Sequence, residues 1–158
     1  MKRLLMSLVF LTLTILCYAQ PYKATYSSKF KMGNAKYASM VLDLWKDWDD
    51  NALDRHDYLA DTITAYFPDG SVVKGKAAFM ETSRKYRATF TTVKSVVHAF
   101  TTLRPEDKNE DAVCIWGQED DTAPDGTITK SNLHEVWFFN KDGKISSMRQ
   151  WHAKVPAN

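Results

Sequence analysis

Cysteine is nearly missing from this chain, with two residues in 158, Cys17 and Cys114. A disulfide framework is therefore excluded as the basis of the fold. An excess of one charge is missing as well. The 21 Lys and Arg stand against 19 Asp and Glu, a net of +2, without the basic surplus that marks nucleic-acid binders. There are no internal repeats and no low-complexity tracts. The longest apolar run, Leu4 to Leu16, holds 13 residues, short of the roughly 20 that a lone membrane-spanning helix needs. What the chain does carry is aromatic weight: 13% Phe, Trp and Tyr within 44% apolar residues. That is too much for a disordered chain, and the length suits one domain with a modest core.

The first nineteen residues read as a separate piece. Lys2 and Arg3 precede the apolar run, and Tyr18-Ala19 closes it on a small residue, which is the layout of a secretory signal. Cleavage is expected after Ala19, giving an exported chain, periplasmic or secreted, with no integral membrane segment. Bacterial lipoproteins carry lipid on a Cys at the place of Cys17. Their signals want a small residue before it, and Leu16 stands there, so lipid anchoring is the lesser expectation. Cleavage removes Lys2 and Arg3 and leaves 19 basic against 19 acidic residues, with Cys114 as the single thiol. An exported domain without disulfides has to be held by its core.

Residues 20–33 have no clear period and read as an N-terminal arm, ahead of a domain over 34–156. Asn34 is a helix N-cap candidate, and Tyr37, Val41, Leu44 and Trp48 fall on one helical face. Asp47, Asp49, Asp50 and Asn51 are expected to end that helix, and a short second helix is expected over Leu53 to Leu59. Ile63 to Phe67 reads as a strand, Pro68-Asp69-Gly70 as a turn, and Ser71 to Lys74 as the returning strand. A third helix is expected from Lys76 to Ala88, with Ala77, Phe79, Met80, Ser83 and Tyr86 on one face. The period then becomes strand-like: Thr91 to Leu103, Ala112 to Glu119, Thr127 to Asn140 and Ile145 to Lys154, joined by turns. Helices first and then an antiparallel meander argue α+β, with about three N-terminal helices packed on a strongly curved antiparallel sheet.

Three stretches carry a family resemblance. They are Tyr58-Leu59-Ala60-Asp61 with Tyr66-Phe67-Pro68-Asp69-Gly70, then Val73-Lys74-Gly75-Lys76-Ala77-Ala78-Phe79, and Glu135-Val136-Trp137-Phe138-Phe139 followed by Asp142-Gly143-Lys144-Ile145. Over residues 36–152 the chain resembles the NTF2-like superfamily, which includes SnoaL-like cyclases and ketosteroid isomerases. The resemblance implies a cone with one deep apolar pocket and a homodimer formed through the outer face of the sheet. It says little about chemistry, because this fold hosts many functions.

A two-residue turn at Asp142-Gly143 would set the last hairpin in register, pairing Lys141 with Lys144, Phe139 with Ser146 and Leu133 with His152. Alternation then places Leu133, Glu135, Trp137, Phe139, Ser146, Met148, Gln150 and His152 on one face. His134, Val136, Phe138, Ile145, Ser147, Arg149 and Trp151 fall on the other. The ketosteroid isomerase pattern, an acid four residues before the aromatic that precedes the turn, matches Glu135 and Phe139. Met148 and His152 match further pocket positions. The resemblance thus implies that the first face is the interior, with Leu133, Trp137, Phe139, Met148 and Gln150 lining a ligand pocket. It leaves His134, Arg149 and Trp151 for a dimer face. Glu135 among apolar neighbours is expected to have a raised pKa and to stay a proton donor. His152 lies diagonally across the hairpin, and the two form a candidate acid–base pair.

The resemblance breaks at the catalytic positions. Phe67 stands before Pro68 where ketosteroid isomerases have their base, and Leu44 or Trp45 stands where they have a Tyr. His134 matches one SnoaL-like position, but the last strand has no Asp. His56 reads as solvated and Cys114 as a small core residue. The acidic groups at Glu106-Asp107, Glu110-Asp111 and Glu119-Asp120-Asp121 read as solvated turn residues. No metal-ligand spacing appears, and no cofactor or metal is expected. The leading expectation is an exported domain binding a small apolar or aromatic molecule. The alternatives are an isomerase, cyclase or hydratase using Glu135 and His152, and a non-catalytic association module.

Overall fold

A computed structural model describes residues 22–156. The signal over residues 1–19, Cys17 and the cut after Ala19 lie outside the described residues. Seven strands and two helices follow in the order β1 (Phe30–Met32), α1 (Ala35–Asp49), β2 (Leu59–Tyr66), β3 (Val72–Lys74), α2 (Lys76–Arg87), β4 (Thr92–Pro105), β5 (Asp111–Thr122), β6 (Ile128–Phe139) and β7 (Ile145–Lys154). They form one curved sheet in the order β1-β4-β5-β6-β7-β2-β3. All pairs are antiparallel except β2 with β7. The sheet is therefore mixed, where an antiparallel one was expected: after the meander ends, β7 lies beside the much earlier β2.

Helix α1 starts where the sequence says, with the Asn34 side chain accepting from the Lys36 N–H at 3.0 Å. Its buried face is wider than the expected stripe and includes Ala38, Met40, Val41 and Trp45. It also includes Asp47, which was expected to mark a polar end. Asp47 is 1% exposed, accepts from Arg55 at 3.0 Å and lies 2.7 Å from Nδ1 of His56. This carboxylate explains why no helix forms over Leu53 to Leu59: Arg55 and His56 turn back to satisfy it, and the segment is a series of turns. His56 is accordingly half-buried and stacked on Tyr58, not solvated. The described residues thus hold two helices where about three were expected.

The C-terminus of α1 is tied down by charge. Arg87 of α2 is buried and donates to the carbonyls of Trp48 (2.8 Å), Asp49 (3.1 Å) and Phe90 (3.2 Å). A cation at these carbonyls suits the negative end of the helix. Ser95 of β4 donates through its N–H and hydroxyl to Asp49 at 3.1 and 2.8 Å. The arm is also held: β1 pairs with the end of β4, and Tyr26 donates to Glu110 at 2.6 Å.

The core lies between α1 and the concave face of the sheet. It contains Val41, Trp45, Ile63, Val113, Ile115, Leu133, Trp137, Phe139, Ile145 and Met148. Gly117 decides how closely α1 can approach. A methyl group there would sit 2.5 Å from the Val96 carbonyl oxygen and 2.7 Å from the Trp45 ring, so the Trp45 indole packs directly on bare β5 backbone.

The last hairpin corrects the expected turn. Asn140 N–H donates to Lys144 O at 2.9 Å, Gly143 has φ of 73°, and Phe139 pairs with Ile145. Three residues therefore form the turn, with Gly143 at the left-handed position, and the pairs Lys141 with Lys144 and Phe139 with Ser146 do not form. Ile145 consequently points inward and is fully buried, not on the outer face. The extra residue is absorbed in a register shift between Phe138 and Phe139, and from Phe138 with Ser147 through Leu133 with His152 the pairing is as expected.

Candidate functional site

The concave face of the sheet and the two helices surround a cavity of about 520 Å3, a size usual for small-molecule sites. Strand alternation supplies one wall, with Leu133 and Trp137 from β6 and Met148 and Gln150 from β7. Helix α1 supplies Trp45 and Trp48, α2 supplies Phe79, Met80 and Tyr86, and loops add Phe67 and Phe90. A second, more open groove of about 750 Å3 lies against α2. Four of its charged residues are engaged with one another, Lys76 with Asp57 and Arg84 with Asp54, so the apolar cavity is the stronger candidate.

Glu135 is buried in the cavity wall. Its Oε2 accepts from the indole N–H groups of Trp45 at 2.7 Å and Trp137 at 2.9 Å, and its Oε1 accepts from Gln150 Nε2 at 2.7 Å. Burial raises its pKa and the three donors pull it back, burial being the larger effect. Burial acts in the expected direction, but Glu135 accepts in all three of these bonds, where a proton donor was expected. The surroundings are more polar than expected, since three N–H groups converge on this one carboxyl.

Two further acids face the same space. Glu119 and Asp121 of β5 continue the inward phase of Val113, Ile115 and Gly117 and are 9% and 5% exposed. They were expected to be solvated by a turn. The strand instead runs on to Thr122, so alternation carries both carboxyls onto the concave face. Burial, with the nearby Asp121 charge next, pushes Glu119 up to about 8. Burial also raises Asp121, against the pull of Glu119 and Arg87. Asp111 was expected in a solvated turn as well, and is buried on Arg104 at 2.7 Å.

Leu133, Glu135, Trp137, Met148, Gln150 and His152 all line the cavity. His152 sits exposed at its rim, and among the described residues Glu135 makes no hydrogen bond to it. Phe139 does not reach the cavity: it is fully buried at the closed end of the hairpin, stacked on Tyr37 at 4.2 Å. Cys114 is half-buried rather than core. His134, Arg149 and Trp151 lie on the convex face. There the His134 ring stacks between Trp116 (4.9 Å) and Trp151 (5.5 Å), and Arg149 lies 4.3 Å over the Tyr66 ring. Sequence reading missed Glu119, Asp121, Trp48 and Gly117. The signal for the two acids was the unbroken alternation from Val113 to Asp121. Among the described residues no group of three or more His, Cys, Asp or Glu is placed to hold a metal ion. No described helix is long and apolar enough to cross a membrane.

No family model matches the sequence, and no curated protein does. Solved structures do match in shape. An NTF2-like protein of unknown function from Exiguobacterium sp. 255-15 shares 17% identity over 75% of this chain and 99% of its own, at a TM-score of 0.59. Another from Burkholderia pseudomallei K96243 shares 15% identity over 76% and 92%, at 0.61. The epoxide hydrolase/cyclase-like enzyme SalBIII, described in pyran ring formation in the polyether salinomycin, shares 20% identity over 75% and 91%, at 0.56. The chain has the NTF2-like fold, as the three sequence stretches implied.

Proposed function

We propose that this is an exported domain that binds a small, mostly apolar molecule in the cavity between its helices and sheet. The observation that carries the proposal is the wall itself. Trp45, Trp48, Phe67, Phe79, Leu133, Trp137 and Met148 line a space of small-molecule size whose surface is mostly apolar, with Glu119, Asp121 and Glu135 among its polar groups, the usual make-up of a ligand site. The similarity to SalBIII supports the reading, since that protein works on a small molecule. A thermal-shift panel of progesterone, decanol, indole-3-ethanol and decanoate tests it. Stabilisation by at least one compound is expected, and no shift with any of them counts against the proposal. Export is part of the same reading. The mass of the exported protein should correspond to a chain starting at Gln20, and an uncut chain would contradict it.

The acid–base reading has less geometric support. The Glu135 carboxyl is already engaged by three N–H groups, and His152 stands at the rim.

A homodimer through the convex face is also proposed. Val96, Trp116 and Trp151 are 57%, 38% and 49% exposed there, and one ring nitrogen of His134, Nε2, is buried without a partner among the described residues. Exposed aromatic clusters of this kind mark association surfaces. In sedimentation, Trp151→Ala should shift the protein toward monomer while sparing ligand binding. An unchanged mass distribution would argue against this face.

A further inference from the structure

The cavity has an acid problem that the protein does not solve by itself. Its interior holds Glu119, Asp121 and Glu135. Glu135 is served by three N–H groups. Of the charged neighbours, Asp49 on α1 is served by Ser95, and Asp120 on β5 by Lys130 and Gln118. Arg87 on α2 lies close enough to attract Asp121, but it donates through all three guanidinium nitrogens to backbone carbonyls. Among the described residues, Asp121 is left with Oδ1 buried and without a hydrogen-bond partner. A buried acceptor with no donor is rare and costly. Of the basic residues lining the same cavity, His152 and Lys154 are exposed at its rim and His56 is engaged by Asp47 at 2.7 Å.

Aromatic rings stand beside this gap. Trp48 and Tyr86 stack at 6.1 Å, and Phe90 meets Tyr86 edge-on at 5.1 Å. All three line the cavity. An unfilled carboxylate oxygen next to aromatic faces is a combination that suits an ammonium group: the oxygen accepts its N–H and the rings attract its charge. A carboxylate ligand would meet Glu119, Asp121 and Glu135, with Asp47 and Asp69 also in the lining. A neutral hydroxyl would fill the hydrogen bond but bring no charge.

Resting on the reading of the cavity as a ligand site, we infer that the molecule it takes has an apolar body and one protonated amine, with the ammonium seated on Asp121 and Glu119 beside Trp48, Tyr86 and Phe90. The ammonium favours the ionised form of both acids, and the proton that Glu119 gives up passes to solvent. The Trp48 N–H, also without a partner in the hydrogen-bond geometry of the described residues, lies close enough to Glu119 to donate to its carboxylate.

Calorimetry at pH 7 with three matched probes tests this: tryptamine, indole-3-ethanol and indole-3-propionate, with Nile red fluorescence as an independent probe of the cavity. Tryptamine is expected to bind at least about tenfold tighter than the alcohol, and the propionate weaker than the alcohol. In Asp121→Asn the amine preference should vanish, while alcohol affinity stays within about threefold. If Asp121→Asn does not fold, as judged by circular dichroism, Glu119→Gln carries the same comparison and should reduce the preference. Equal binding of amine and alcohol, tighter binding of the acid, or a preference that survives the substitution overturns the inference. If Nile red or the alcohol binds in those cases, the cavity reading stands. If none of the four binds, both fail.

Discussion

Trp45→Ala should bring the protein close to unfolding. Trp45 is 7% exposed, lies on the bare backbone of Gly117 and donates its N–H to Glu135 at 2.7 Å. Truncating a buried Trp costs about 3–5 kcal/mol through lost transfer energy and the hole left behind. Glu135 would also lose a donor while staying buried, a further cost of about 1–3 kcal/mol. These effects share one site and do not add fully, but they stand against a total stability of roughly 5–15 kcal/mol. Trp45→Phe separates them, because it keeps most of the ring and removes the N–H. The expected order in urea unfolding is wild type, then Trp45→Phe, then Trp45→Ala, with the last losing most of its stability. A loss below about 1 kcal/mol for Trp45→Ala would mean that the indole does not hold α1 to the sheet.

The second large effect is a fall in stability as pH rises. Glu119 has an ordinary value of 4.5 and is pushed up to about 8 in the folded protein, by burial first and the Asp121 charge next. The folded state therefore holds this proton more tightly than the unfolded chain. The stabilisation is complete below the unfolded value near 4.5, declines through the window between, and is gone above the folded value near 8. The slope within that window approaches about 1.4 kcal/mol per pH unit. Glu119 and Asp121 titrate as a pair, so the clean reading is a difference. Stability of wild type minus Glu119→Gln, from urea unfolding at intervals between pH 5 and 9, should fall steadily as pH rises. A flat difference would show that Glu119 is solvated after all.

Much of this fold could be read from local signals. The Asn34 cap, the Lys76 helix, the long strands and the final hairpin each depend on neighbours in sequence, and each lies within a few residues of its expected place. The inward face of β6 was legible because alternation propagates from any fixed point, and the small slip at Gly143 was absorbed before Phe138. What sequence did not disclose is what distance creates. Asp47 looks like a helix terminator until Arg55 and His56 are seen to close on it. Glu119 and Asp121 look like turn residues until β5 is known to continue to Thr122. Gly117 has no pattern of its own, since its role is to leave room for a ring 72 positions earlier in the chain. Of the three N–H groups around Glu135, those of Trp137 and Gln150 follow from the alternation and register of the last hairpin, whereas that of Trp45 comes from α1, 90 positions earlier.

The five tryptophans offer the most direct test of the central claim, that the cavity is where a small molecule binds. Trp45, Trp48 and Trp137 line the cavity, whereas Trp116 and Trp151 lie on the convex face. Their indole N–H signals can be followed together in a nitrogen–proton correlation spectrum while the most stabilising compound of the panel is titrated in. The expected result is a saturable shift of the Trp48 and Trp137 signals, with Trp116 and Trp151 unmoved. Shifts confined to Trp116 and Trp151, or no saturable shift at all, would contradict the assignment of the cavity as the site.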